Sequence, residues 1–137
     1  MSDLLDKTTL ALQTSARMRQ LRGNITSANI ANAETPGYTA KKVDFEEALS
    51  RALNVEGMNK LEGEQPEHFP MGPGAMSRVK ADVYDNPEGT VSNDGNNVDL
   101  EREMTNLAEN SIMYKAAIQL INKKLAALKY AITEGGR

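Results

Sequence analysis

The sequence predicts a mainly α-helical chain. Its long N- and C-terminal helices are expected to form an antiparallel coiled-coil pair, and its irregular middle is expected to hold a short helix and one or two short strands. Three observations carry this expectation: a sustained apolar seam near the C-terminus, a weaker one near the N-terminus, and a Gly- and Pro-rich stretch between them. The divisions are 1–35 for the N-terminal coiled-coil helix, 36–97 for the turn, short helix and irregular segment, and 98–137 for the C-terminal coiled-coil helix.

The C-terminal helix has the stronger pattern. Leu100, Met104, Leu107, Ser111, Tyr114, Ile118, Ile121, Leu125, Leu128 and Ile132 alternate spacings of four and three, and only Ser111 among them is plainly polar. That is the a/d repeat of a coiled coil. No Gly or Pro interrupts Asn96 to Glu134, Asn97 or Asp99 can cap the start, and Gly135 and Gly136 mark the end. Asp99, Glu101, Glu103 and Glu109 fall early and Lys115, Lys123, Lys124 and Lys129 late, which complements the helix dipole. Such a helix would be about 50 Å long. A second stripe, Met113, Ala117, Leu120, Lys124, Ala127 and Ala131, runs beside the first. One partner helix cannot cover both, and a helix apolar over a wide arc is buried on several sides.

At the N-terminal end, Ala11, Thr14, Met18, Leu21, Ile25, Ala28 and Asn32 also alternate three and four. Met18, Leu21, Ile25 and Ala28 are the expected assembly seam of this helix, to pack with Leu100, Met104, Leu107, Tyr114, Ile118, Ile121, Leu125, Leu128 and Ile132. Gly23 costs about 1 kcal/mol relative to Ala and allows a bend. Pro36 drives Thr35 out of the α region, so the helix is expected to end near Ala33–Thr35. Pro36–Gly37 suits the centre of a type II turn. Asn24 and Asn32 are candidates for polar register markers, with a helix-end amide as the plainer role of Asn32. Between the helices, residues 54–97 hold most of the Gly and four of the five Pro. Asp44–Leu53 reads as a short helix and Ser77–Asp85 as a strand.

Composition narrows the functional classes. A net charge of −3, from 19 acidic and 16 basic residues, gives no basic field for nucleic acid. The absence of Cys excludes disulfides and thiol chemistry. Aromatic residues make up 4 % of the chain, too few for an ordinary compact core, which points to an elongated molecule. Asp3, Asp6 and Lys7 interrupt the apolar N-terminus and no basic region precedes it, so any export is expected to proceed without a cleaved Sec signal.

No constellation of catalytic groups emerges. His68 is alone, and one His without Cys makes no common zinc site. Thr90–Glu101 has the Gly and Glu spacing of a calcium loop, but Thr90 and Ser92 stand where carboxylate or amide ligands are needed. MGPGAM lacks the Lys-Ser/Thr ending of a phosphate loop. Glu46–Glu47 and Glu101/Glu103 read as solvated helix faces. The expectation is no enzyme, no cofactor, no metal and no small-molecule substrate. The competing classes are a secreted coiled-coil adaptor and a peptidoglycan hydrolase.

Two segments are more specific. Ser27–Tyr38 (SANIANAETPGY), followed by Asp44–Phe45, and Gly95–Ala117 (GNNVDLEREMTNLAENSIMYKAA) together resemble the flagellar rod, hook and hook-filament axial proteins. The matching positions are Asn29, Ile30, Ala31, Asn32, Thr35, Pro36, Gly37 and Tyr38 in the first segment and Asn97, Val98, Asp99 and Leu100 in the second, with Asn110 and Tyr114 beyond. Length and the short middle look most like a proximal rod member of that family, with FlgC as the rival reading. The resemblance implies terminal helices in the inner coiled-coil layer of a helical tube, serving torque transmission and export. It implies delivery by the flagellar type III export apparatus to a basal-body rod, periplasmic in a Gram-negative cell. The implied partners are further copies of the chain, FliE toward the membrane ring, and FlgC or FlgF distally. It also makes Phe45 a candidate export signal.

Overall fold

The computed structural model describes residues 7–57 and 76–134. His68, Phe69 and most of MGPGAM lie outside the described residues. The chain is mainly helical. Helix α1 spans Lys7–Ala31, strand β1 Lys41–Asp44, helix α2 Glu46–Gly57, a short 3-10 turn Met76–Arg78, strand β2 Asp82–Asp85 and helix α3 Leu100–Glu134. No helix among the described residues is long and apolar enough to cross a membrane. Helices α1 and α3 make the most extensive contact between any two elements.

α1 runs unbroken through Gly23. A Cβ there would stand 3.3 Å from Asn110 Nδ2 on α3, so the glycine gives close approach of the two helices. The regular helix stops at Ala31, slightly before the expected Ala33–Thr35, and turns carry the chain onward. At Pro36–Gly37 the Tyr38 N–H donates to Thr35 O at 3.3 Å and Gly37 has φ of 71°. That is the expected type II turn, whose third position needs positive φ and therefore glycine. α3 starts where the sequence placed it. The Asp99 carboxylate accepts from the Arg102 N–H at 3.1 Å, and Asp99 O takes the first helical bond, from the Glu103 N–H.

The middle differs from expectation at Asp44. This residue ends strand β1 and does not begin the short helix, which starts at Glu46. β1 and β2 form a two-stranded antiparallel sheet in which Val43 faces Val83 and Lys42 faces Tyr84. Tyr84 Oη donates to Asp44, and Lys41 pairs with Asp85. The sequence Lys41-Lys42-Val43-Asp44 lacks alternation of apolar and polar residues, so only pairing with the distant β2 makes it a strand. β2 is also shorter than the expected Ser77–Asp85, whose first residues form the 3-10 turn.

The buried apolar cluster is small. Met18 of α1 packs with Val43 and Phe45, and Ile25, Leu49 and Ala81 close around them. Arg22 completes this junction. Its guanidinium lies 4.5 Å from the Phe45 ring centroid, donates to Val43 O at 2.7 and 3.0 Å, and grips the Glu46 carboxylate at 2.6 and 2.7 Å. Partial burial alone would push the Glu46 pKa up. The Arg22 hydrogen bonds, the Glu46 and Phe45 backbone N–H groups and the Arg22 charge outweigh it and hold the pKa at about 2, against 4.5 ordinarily. The unfolded chain therefore takes up this proton first. The stabilisation is present above pH 4.5 and is lost as pH falls toward 2. Acid titration followed by circular dichroism should show Arg22→Gln flattening this part of the stability curve.

Candidate functional site

The two motif segments meet at one end of α1 and satisfy each other's backbone. Asn29 is fully buried. Its Nδ2 donates to Lys41 O at 2.8 Å and to the Glu103 carboxylate at 3.0 Å, and its Oδ1 accepts from the Lys41 N–H at 3.0 Å and from Tyr38 Oη at 3.1 Å. One amide thus ties α1 to β1, to the turn and to α3. Asn96 supplies the complementary contact. Its Nδ2 faces Asn32 O, Ala33 O and Thr35 O at 2.9, 3.0 and 2.8 Å, carbonyls of the turns that follow α1. Its Oδ1 accepts from the Val98 N–H at 2.7 Å. Asn97 Oδ1 accepts from the Ala40 N–H at 2.6 Å, Asn97 N–H donates to Tyr38 O, and Gly37 N–H donates to Asp94 O.

This junction tolerates no extra atoms at Gly89. A Cβ there would lie 2.5 Å from Asn97 O and 2.9 Å from Asn97 Cβ. Gly89→Ala must displace the Asn97 backbone, and overpacking of this kind costs about 1–3 kcal/mol. A lowered urea midpoint with unchanged slope would register that loss.

Each motif position can be placed. Ile30, Asn32, Tyr38 and Val98 are half-buried, and Asn29 and Asn97 are buried. Ala31, Thr35, Pro36, Gly37, Asp99 and Leu100 are exposed. Asn32 makes a local helix-end bond, its Nδ2 donating to Ala28 O at 2.8 Å, and Asn24 is exposed. Phe45 is buried beneath Arg22 and Arg19. Two contributors escaped the sequence reading. Arg22 was not singled out, and Glu103, read there as part of a solvated face, is buried against Asn29.

The helix faces differ from the expected seam in an informative way. On α3 the buried or half-buried strip is Glu103, Leu107, Asn110, Tyr114, Ala117, Ile121, Lys124 and Leu128, again spaced four and three. It keeps Leu107, Tyr114, Ile121 and Leu128 of the expected seam. Glu103, Asn110, Ala117 and Lys124 join it, Ser111 and Ile118 stay half-buried at its edge, and Met104 and Leu125 are exposed. Polar pairing explains the shift, because Glu103 is needed by Asn29 and Asn110 Nδ2 donates to Arg19 O at 2.7 Å. On α1, Met18 and Ile25 face the cluster around Phe45, while Leu21 and Ala28 are exposed. The face meeting Asn110 holds Arg19 and Gly23, with Ala16 and Thr26 in helical register.

The displaced residues leave two apolar flanks open on α3. One carries Leu100, Met104, Leu125 and Ile132, with Ile118 half-buried among them. The other carries Met113 and Leu120, with Ala127 and Ala131. Leu120 is 51 % exposed, Leu125 50 % and Ile132 70 %. From 118 to 133 no α3 side chain is buried. Among the described residues no group of acidic or His side chains is placed to hold a metal.

Comparison with known proteins matches residues 12–39 to the family model described as flagella basal body rod protein. A flagellar basal body rod protein FlgB of Proteus mirabilis is 34 % identical over 98 % of this chain and 100 % of its own length. The chain belongs to the FlgB family of flagellar basal body rod proteins. The FlgB of Salmonella typhimurium is 32 % identical over 98 % of this chain and 99 % of its own, and that of Cereibacter sphaeroides 37 % over 84 % and 85 %. FlgB proteins are structural, so the chain is a structural subunit of the flagellar rod and not an enzyme, and the FlgC alternative is not favoured. The matched stretch 12–39 covers most of α1, the type II turn and Asn29, the hub of the junction.

Proposed function

We propose that this FlgB family member builds the proximal rod by pairing α1 and α3 as an antiparallel coiled coil and covering the two α3 flanks with neighbouring subunits. The observation that carries this reading is the pair of open apolar flanks on one helix. Opposite chain sense in the pair is supported by Asn29 meeting Glu103 while Arg19 meets Asn110. Apolar area of this extent on a long helix needs a partner. Contacts between unlike faces do not close on themselves and so extend as an open helix. The sequence-derived seam then serves two purposes. Leu107, Tyr114, Ile121 and Leu128 pack within the subunit, and Leu100, Met104, Leu125 and Ile132 pack between subunits.

In this reading the subunit passes through the type III export apparatus unfolded and without loss of a leader, and Phe45 is read there before its burial in the folded chain. It stands in the periplasmic part of the basal body in a Gram-negative cell, with FliE on one side and FlgC or FlgF on the other. A tagged copy tests this placement. It should purify with intact basal bodies at full-length mass and cross-link to those rod proteins. A tagged copy found only in free complexes of one partner would instead favour a coiled-coil adaptor.

A further inference from the structure

Strand β2 has one paired edge and one open edge. On the inner side, Asn29 binds both backbone groups of Lys41 and Arg22 binds Val43 O, so Lys42 and Asp44 are the β1 residues whose backbone turns to β2. The register, Lys42 opposite Tyr84 and Asp44 opposite Asp82, then directs the N–H and C=O of Val83 and Asp85 away from β1. None of these four groups has a hydrogen-bond partner among the described residues. The one element against which β2 packs substantially is β1. Asp82 and Asp85 are exposed, and Val83 is 46 % exposed. An open row of donors and acceptors is a template for one more strand.

The side chains of β2 define what that strand carries. Both charges of β2 are acidic. Asp85 is held by Lys41, whereas Asp82 makes no ion pair among the described residues and lies opposite Asp44, a like charge. Lys80 lines the same groove as Asp44 and Asp82 without pairing with either. The Tyr84 phenol is pushed up to about 12, first by its hydrogen bond to Asp44 and further by the charges of Asp44, Asp82 and Glu88. A second copy of β2 does not fit this edge, because antiparallel pairing would set Asp82 against Asp85. An antiparallel strand that answers β2 needs Lys or Arg opposite Asp85 and Asp82 and an apolar residue opposite Val83. Its order is cation, any residue, apolar residue, cation. In this chain two cations stand three residues apart only at Arg19 and Arg22, inside α1. We propose that the outer edge of β2 receives an extended Lys- or Arg-bearing segment of a different protein, added antiparallel as a third strand. The edge is present in the isolated subunit and does not depend on the rod reading.

The test uses the full-length subunit and the synthetic peptide acetyl-Thr-Arg-Thr-Val-Arg-Thr-amide, with amide hydrogen exchange followed by NMR. At millimolar peptide, exchange at Val83 and Asp85 should slow about five-fold. The same peptide N-methylated at Val lacks the donor for Val83 O and should have no effect. A peptide with Glu in place of its second Arg, the residue opposite Asp82, should also have none on the wild type, and Asp82→Lys should reverse the preference between the two peptides. Val83→Pro removes an outward N–H that β1 does not use, and should abolish the slowing with the first peptide. If that variant does not fold, Asp82→Lys decides alone. Unchanged exchange at Val83 and Asp85 with the first peptide overturns the proposal. Equal slowing by the N-methylated peptide overturns strand addition, and equal slowing by the Glu peptide on the wild type overturns a basic partner.

Discussion

Leu120→Asp, and separately Leu125→Asp, should abolish swimming while leaving the isolated subunit as stable as the wild type. Both side chains are about half exposed, on opposite flanks of α3. A carboxylate there meets water in the monomer, and surface changes of this kind stay within about 0.5 kcal/mol. In a packed rod the same carboxylate would be buried without a partner, which costs several kcal/mol per subunit interface. Thermal melts of the purified variants and swimming halos of complemented cells separate the two effects. A variant that swims normally would show its flank to be free of neighbours. One that melts much earlier would show the side chain to be part of the subunit's own core.

The second large effect belongs to the junction. Asn29→Ala removes four hydrogen bonds at a fully buried position and strands the Glu103 carboxylate, Tyr38 Oη and both polar backbone groups of Lys41. Unmet buried groups cost about 1–3 kcal/mol each, and partial hydration reduces the sum, so a loss of about 3–5 kcal/mol is expected. That is a large share of the stability of a small domain, typically about 5–15 kcal/mol. Asn32→Ala is the matched control, since the Asn32 amide makes only local, exposed bonds, donating to Ala28 O and accepting from the Thr35 hydroxyl. It should lose less than about 1 kcal/mol. Urea denaturation of the two variants side by side measures the contrast.

Much of this molecule could be read from sequence because it depends on local rules. The Asp99 cap, the Pro36–Gly37 turn and the uninterrupted run from Leu100 to Glu134 follow from capping, positive φ and the lack of helix breakers. The face of α3 that meets α1 was only half legible. Apolar periodicity favours Met104 and Leu125 over Glu103 and Asn110, yet the polar residues are inside because distant groups, Asn29 and Arg19 O, satisfy them. An alternative four-three register through Glu103, Asn110 and Ala117 was present in the sequence, but its polar members look solvated until their partners are known. β1 was invisible for the same reason: Lys41–Asp44 becomes a strand only against β2 and the Asn29 amide. Motif spacing singled out Asn29, Tyr38 and Asn97, which lie together at the junction, although it could not say that the two segments bind each other.

The account depends on α3 flanks that are open in one subunit and covered in the rod. Maleimide labelling at Leu120→Cys and Ile132→Cys measures this directly, because the wild-type chain offers no competing thiol. Both sites should react freely in the isolated subunit, become protected by at least ten-fold in intact basal bodies, and react again once the basal bodies are dissociated. Equal labelling rates in the free subunit and the intact rod would contradict it.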